Sequence, residues 1–222
     1  MIYPVLASLL VLGCMASQSA SGEFNCVATT GYPKEVCHIS ACTTAINDHI
    51  QHELNAAFTY MLMGVQFGQY TIDRPGISKF LLEAATEERS HAIQMLDYLN
   101  TRGIKSSMMT SPAYNFKTIE KINGIKNMTY DKALQDALDM EIQVTVKIYE
   151  VVKNCENDYH AADVFTNPIL EEQHDGIRKL QGAIRAFNDL TRGYTNNESA
   201  YAMAEYIFDR KMLKGEIIQG MH

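Results

Sequence analysis

Charged side chains are missing from residues 1–22, and no stretch of the chain is apolar for long enough to span a membrane comfortably. The apolar run over residues 5–16 leads into small residues, which is typical of a secretory signal, here cleaved near Gly22. The formal net charge of −7 therefore lies wholly on the rest of the chain. This acidity argues against a nucleic-acid partner and suits cations. We expect a protein that is secreted or resides in the lumen of the secretory pathway.

An internal sequence repeat is also missing. A chain of 222 residues with 46% hydrophobic composition can bury one substantial core, which favours one domain with an extension over two domains. The expected organisation is a signal peptide over 1–22, a cysteine-bearing extension over 23–43, and a helical domain over 44–222.

Four cysteines remain once a signal over 1–22 has removed Cys14. An even number of cysteines in an oxidising compartment predicts disulfides. Cys26, Cys37 and Cys42 lie in the extension before the first expected helix, so the extension is bonded to itself, to Cys155, or to another subunit. The sequence leaves these three arrangements open.

Helical periodicity dominates the rest of the chain. Apolar residues recur every three or four positions over residues 44–70, 76–101, 129–156 and 160–190. Short turns join the first pair and the second pair, whereas roughly 26 residues separate the second stretch from the third. This pattern predicts an all-α four-helix bundle with one long crossover. A short fifth helix is expected over residues 197–213, and Pro168 should kink the fourth.

Polar side chains interrupt the apolar seams, meaning the positions of each helix that face the core. Glu88 and His91 interrupt the seam of the second stretch, and Glu141 interrupts that of the third. In the first stretch, Glu53 and Tyr60 share the seam. A single Glu or His on a seam is more often a salt-bridged structural residue, so their recurrence on several helices is the informative observation.

The fourth stretch contains a second Glu-x-x-His motif, formed by Glu171 and His174. Its apolar heptad phase, however, places Gln173 inward, Glu171 on an outer face and His174 at the border. We therefore select Gln173 as the residue that this helix contributes to the core.

A divalent metal centre explains these polar seam residues. Buried carboxylates are costly unless they are neutralised, so three of them beside an imidazole need a shared counter-charge. Glu-x-x-His on one helix, with a Glu from each of two others, is the inward ligand set of di-iron and di-manganese bundles. Carboxylates with one imidazole favour iron or manganese over structural zinc. The predicted metal ligands are Glu53, Glu88, His91, Glu141 and Gln173.

A family resemblance covers the chain from about Ile46 to its end. Glu53 with Tyr60, the run at 87–91, Glu141, the run at 170–173 and the run at 204–209 together resemble ferritin, and with the signal and the extension they look like the secreted heavy-chain type of insects. The resemblance implies a cage of two dozen subunits that stores iron as a ferric mineral. It also implies that the five predicted ligands and Tyr60 form a catalytic ferroxidase centre.

Two departures from the family pattern limit what the resemblance implies. At the acidic entry funnel of the threefold axes Asp163 matches, but Thr166 stands where a glutamate is usual, so iron entry is expected to use different groups. Ser90 replaces an inner-surface glutamate, which suggests that mineral nucleation is shared with a light-chain-type partner in a mixed cage. A disulfide through the extension is one way of linking the two subunits.

The predicted function is therefore iron storage with ferroxidase activity: two Fe(II) ions bind among these residues, O2 oxidises them, and Fe(III) passes to a mineral core. The alternative is a non-catalytic structural subunit of the light type. A secreted four-helix signalling bundle is a more distant alternative, because it has no reason to bury three glutamates.

Overall fold

A computed structural model describes residues 26–33, 36–105, 125–194 and 196–218. The expected signal over 1–22 lies outside these residues. The described chain is mainly helical, as predicted, with turns between the helices and one small hairpin. Its elements are β1 Val27–Ala28, β2 Cys37–His38, α1 Ser40–Phe67, α2 Pro75–Thr101, α3 Tyr130–Asn154, α4 Tyr159–Val164, α5 Leu170–Thr191 and α6 Glu198–Leu213.

The bundle consists of two helix pairs joined by a long connection. A short turn makes α2 antiparallel to α1, and the Cys42–Cys155 disulfide ties the start of α1 to the residue after α3, so these two helices are antiparallel as well. Because α2 and α3 must then run in the same direction, the end of α2 and the start of α3 lie at opposite ends of the bundle. The predicted single crossover is confirmed. Among the described helices, none is long and apolar enough to cross a membrane.

The fourth bundle helix is broken, which corrects the continuous helix expected over residues 160–190. A π-helical turn at Phe165–Ile169 separates α4 from α5, and Asn167 inside it has the extended values φ −145° and ψ 110°. Pro168 lacks an N–H and forces the residue before it out of the helical region, so the chain kinks at the predicted place. The Asn167–Pro168 peptide bond is cis.

The four cysteines pair within the chain. Cys26 bonds Cys37 across the β1–β2 hairpin, and Cys42 bonds Cys155. Of the open arrangements, the extension is therefore bonded both to itself and to Cys155, which leaves none of these four cysteines for a bond to another subunit. Helix α1 also begins earlier than expected, at Ser40, so Cys42 lies in its first turn rather than before it.

Arg102, the residue after α2, anchors the hairpin to the end of the bundle. Its guanidinium donates to the carbonyl of Cys37 and, at 2.9 Å, to the carboxylate of Asp158. Asp158 in turn accepts from the backbone N–H of Ala161 at 3.2 Å and so caps α4. One partly buried ion pair thus holds the hairpin, the end of α2 and the start of α4 together.

Helix α6 caps the start of α2 through a fully buried aspartate. The Asp209 carboxylate accepts from the backbone N–H groups of Gly76 at 3.0 Å and Ile77 at 2.9 Å, which the helix itself leaves without partners. The hydroxyl of Tyr130 donates to the same carboxylate at 3.2 Å. Gly76 is required here, because a Cβ at this position would overlap the carbonyl oxygen of Asp209.

We predict that Gly76→Ala destabilises the protein by roughly 1–3 kcal/mol, because the added methyl group pushes α6 away from the N-terminus of α2. Gly182→Ala is the matched control: Gly182 lies in α5, and a Cβ there meets nothing within 4 Å. Alanine is the better helix former, so the control should be neutral or gain about 0.5–1 kcal/mol. Thermal and urea unfolding measure both changes, and equal effects of the two substitutions would contradict this account.

Candidate metal centre

The structure brings the predicted site residues together inside the bundle. Helix α1 supplies Glu53 and Tyr60, α2 supplies Glu88 and His91, α3 supplies Glu141, and α5 supplies Gln173. None of the six is more than 3% exposed. They occupy the interior of the bundle, where the seam analysis expects them.

Glu53, Glu88 and His91 form the tightest part of the cluster. The Nδ1 atom of His91 lies 3.8 Å from Oε2 of Glu88 and 4.0 Å from Oε2 of Glu53. One ligand atom from each of the three residues lies within 4.8 Å of the other two, so a single ion can contact all three.

Glu141 and Gln173 extend the cluster on the other side. The hydroxyl of Tyr60 donates to Oε1 of Glu141 and lies 3.2 Å from the carbonyl oxygen of Ala137. The hydroxyl of Thr145 lies 3.1 Å from Oε1 of Gln173 and 2.8 Å from the backbone carbonyl of Glu141. These contacts fix the orientation of both predicted ligands from outside the cluster.

Several ligand atoms at the centre of the cluster are buried without hydrogen bonds. Within the described ranges, these atoms are both carboxylate oxygens of Glu53, Oε2 of Glu88, Nδ1 of His91 and Oε2 of Glu141. Buried polar atoms in native proteins nearly always have a partner, so five orphans at one place need an explanation. They are all oxygen or imidazole nitrogen donors, which fits a site for divalent iron or manganese.

Burial also dominates the acid–base properties of the cluster. It raises the pKa of Glu53 and of Glu88, and it raises the pKa of Glu141 to about 8 together with the charge of Glu88. Burial alone would lower the pKa of His91, but its contacts with Glu88 and Glu53 outweigh that effect and raise the pKa to about 10. Without a metal, protons on these groups supply the missing positive charge.

Glu172 belongs to the site and escapes the seam analysis. Its Oε2 lies 3.1 Å from Nε2 of His91, while its side chain remains 29% exposed. A carboxylate on the second nitrogen of a metal-binding histidine orients the ring and increases its basicity. The heptad phase gives no signal for Glu172, because the residue is at the edge of the core rather than in its seam.

The inward surface of α5 differs from its apolar pattern. Besides the apolar Leu180 and Phe187, its buried residues are small or polar, namely Gln173, Gly176, Ala183 and Thr191. By contrast, Leu170, Ile177 and Ile184 are only partly buried. Gln173 is nevertheless inward, as the phase predicts. Glu171 and His174 are exposed, so the second Glu-x-x-His motif is not part of the cluster.

Histidines at 49 and 52 are a second omission of the sequence analysis. Nε2 of His49 lies 2.9 Å from Oε1 of Glu53, and His49 is only 2% exposed. Burial lowers the pKa of both His49 and His52 to about 4, so both imidazoles are neutral near neutral pH. His52 follows His49 by three residues and Glu53 follows it by four, so all three lie on one helix face. This spacing is visible in the sequence and is the signal that would identify the histidines.

The two departures from the family pattern, Ser90 and Thr166, and the matching Asp163 lie at the surface. Ser90, Asp163 and Thr166 are all exposed, outside the buried cluster. The hydroxyl of Thr166 donates to the carbonyl of Ala162 at 2.8 Å, so it is bonded to its own helix.

Comparisons with known proteins agree with the fold. A profile described as a ferritin-like domain matches residues 43–190. A ferritin heavy chain from Drosophila melanogaster is 34% identical over 214 residues, covering 94% of this chain and 98% of the relative. One from Papilio xuthus is 33% identical over 185 residues, covering 80% and 82%. The crystal structure of a Trichoplusia ni secreted ferritin has a TM-score of 0.69 at 31% identity, covering 85% of this chain and 96% of that one.

We predict that metal affinity rises with pH. Glu141, with a pKa of about 8, and His91, with a pKa of about 10, both hold protons at pH 6–7.5, and a metal ion must displace them. Raising the pH removes this competition, so the Kd of Co(II) should fall by at least about tenfold per pH unit. Calorimetry in buffers of different ionisation enthalpy counts the released protons. Glu141→Gln should release fewer, and an affinity independent of pH would contradict the assignment.

A further prediction concerns Glu172. Glu172→Ala removes the contact with Nε2 of His91 and should weaken Co(II) binding by about 10–100-fold, as is typical when the partner of a ligating histidine is lost. Glu171→Ala is the control, since it deletes the neighbouring exposed carboxylate on the same helix. Equilibrium dialysis gives both dissociation constants. Equal weakening by the two substitutions would mean that only the net charge of the surface matters.

Proposed function

The chain belongs to the ferritin family of iron-storage proteins, and on that basis together with the geometry of its buried cluster we propose that it is a catalytic, ferroxidase-type subunit. In this proposal Glu53, Glu88, His91, Glu141 and Gln173 bind two Fe(II) ions as substrate. O2 oxidises the ions, and the Fe(III) product moves to a mineral core.

The observation that carries the proposal is the group of five orphaned ligand atoms on Glu53, Glu88, His91 and Glu141. A structural subunit that does not bind iron here would gain free energy of folding by replacing them with apolar side chains. Their presence in a buried, closely spaced cluster is what a working di-iron site requires. The heavy-chain names of two insect relatives point in the same direction.

Each residue has a distinct part in the proposed reaction. Glu53, Glu88 and His91 bind one ion, and Glu141 with Gln173 completes a second position beside it. Two Fe(II) ions each give up one electron, and one O2 accepts both. Three carboxylates only partly offset two divalent charges, and the neutral amide of Gln173 is a weaker ligand than a carboxylate would be. This favours release of the oxidised ions over their permanent retention.

Tyr60 is proposed to hold Glu141 in place rather than to bind iron. Its hydroxyl donates to the carboxylate of Glu141, and burial raises the pKa of Tyr60 well above its usual value. The phenol therefore stays protonated and remains a hydrogen-bond donor throughout the physiological pH range.

We further propose that the protein is secreted as part of a mixed cage with a light-chain-type subunit. In this proposal the chain consists of three parts: a signal over 1–22, a cysteine-bearing extension over 23–43 and a helical domain over 44–222. Two disulfides support an oxidising compartment, and the related Trichoplusia ni protein is a secreted ferritin. Since both disulfides are internal, the contact between subunits is proposed to be non-covalent.

The test is Fe(II) oxidation by the double variant Glu88→Ala, His91→Ala. Rapid oxidation followed by stopped-flow absorbance should be lost in this variant, while gel filtration should show unchanged assembly, because both residues lie inside the subunit. The matched control is Glu171→Ala, His174→Ala, which removes the same two residue types with the same spacing from an exposed face. The control should oxidise Fe(II) at the rate of the unmodified protein.

Two results would contradict the proposal. Unchanged oxidation in the Glu88→Ala, His91→Ala variant would show that the centre lies elsewhere. Absence of rapid oxidation in the unmodified protein, with normal assembly, would favour the structural light-type alternative.

A further inference from the structure

A second group of imidazole and carboxylate side chains lies next to the proposed centre, on the side where α1 faces α3. His49, His52 and Glu53 follow one another at i, i+3 and i+4 on α1, which places all three on one helix face. Imidazole and carboxylate are the donors that Fe(II), Co(II) and Zn(II) accept together in proteins.

Three imidazole nitrogens in this group have no hydrogen bond. Among the residues that the structure describes, both ring nitrogens of His49 and Nε2 of His52 are buried without a well-aligned hydrogen bond. His49 is 2% exposed, so its ring is shielded from bulk solvent. Buried polar atoms normally have a well-aligned hydrogen bond, whereas Nε2 of His49 approaches Oε1 of Glu53 at 2.9 Å without forming one.

Glu53 connects this group to the proposed centre. Its Oε1 lies 2.9 Å from Nε2 of His49, and its Oε2 lies 4.0 Å from Nδ1 of His91. The contact with His49 is short, yet neither atom has a hydrogen bond, so it is not the usual pairing of a histidine with a glutamate. Two donors 2.9 Å apart can both contact one ion at about 2.1 Å, the usual distance for imidazole and carboxylate ligands.

A cavity leads from the surface to these histidines. It has a volume of about 240 Å³ and lies between α1 and α3, with His49 and His52 on one wall. Asp48 and Glu150 add carboxylates to its lining. Lys147 also lines the cavity, but it forms an ion pair with Glu150 at 2.7 Å, so its charge is compensated. The opening therefore does not present a net positive charge to an entering cation.

From this arrangement we propose that His49 and Glu53 bind a divalent metal ion at a separate site, which His52 supports from the wall of the cavity. This site shares Glu53 with the di-iron centre. It is an entry site: Fe(II) arriving through the cavity between α1 and α3 binds His49 first and passes to the centre along the Glu53 carboxylate. The entry role rests on the ferroxidase function proposed above, whereas the metal site itself does not. This site offers iron a route within one subunit, independent of the exposed Asp163 and Thr166.

The test uses Co(II), which O2 does not readily oxidise in such a site, and a background in which the di-iron centre is disabled by Glu88→Ala and His91→Ala. Co(II) binding is measured by equilibrium dialysis of the assembled protein. Anomalous diffraction from crystals soaked in Co(II) locates the ion. In the disabled background we expect one Co(II) per subunit, with its anomalous peak at bonding distance from His49.

Three substitutions in the disabled background distinguish the site from general surface binding. His52→Ala should raise the Kd of Co(II) at least about tenfold, the effect of losing one ligand or its close support. His49→Leu should abolish binding. His174→Ala removes an exposed histidine that does not line the cavity and should change nothing. His52 is only partly buried, so its replacement leaves the core intact, and circular dichroism checks the fold of each variant.

The proposal is overturned if the disabled background shows no Co(II) at His49 at concentrations that saturate the unmodified protein. It is equally overturned if binding survives both His52→Ala and His49→Leu. Co(II) bound at His49, together with no rapid oxidation of Fe(II) by the unmodified protein, would contradict the ferroxidase function while supporting this metal site. The two proposals can therefore fail separately.

Discussion

Three carboxylates and one imidazole lie buried in the middle of this bundle. Positive charge must be present there for the fold to be stable. Glu53, Glu88, Glu141 and His91 are almost completely buried. Ionised carboxylates in such a place are costly unless a cation or a proton compensates them. The pKa of Glu141, raised to about 8, and that of His91, raised to about 10, favour protons as the compensating charge at neutral pH. In the proposed di-iron centre, metal binding exchanges these protons for divalent ions, which links the proposed iron binding to pH.

The surrounding fold holds the helices that carry these groups in a fixed register. The Cys42–Cys155 disulfide fastens α1 to the end of α3, and a bond that closes a loop of this length contributes on the order of 5 kcal/mol in the chain-entropy account. At the other end of the bundle, Asp209 of α6 binds the first N–H groups of α2. These two contacts thus lie at opposite ends of the bundle, and the buried cluster lies between them.

Sequence reasoning succeeded where the position of a side chain follows from the period of its own helix. Glu88, His91 and Glu141 interrupt regular seams, and the heptad phase of the fourth stretch places Gln173 inward and Glu171 outward. It failed where the relevant contact crosses between helices. Glu172 lies outside every seam, yet it reaches His91 on another helix. The spacing of His49, His52 and Glu53 is visible in the sequence, but the cavity beside these histidines forms only where α1 packs on α3.

By itself, the sequence determined the number of long helices, the single crossover, the kink at Pro168 and the identity of the six polar residues at the centre of the bundle. Each of these follows from local periodicity, from the loop lengths or from the missing N–H of proline. Only the tertiary structure decided the disulfide pairing, the contact of Glu172 with His91 and the approach of His91 to the Glu53 carboxylate. These depend on distances between different segments of the chain, which close packing sets and a local pattern does not record.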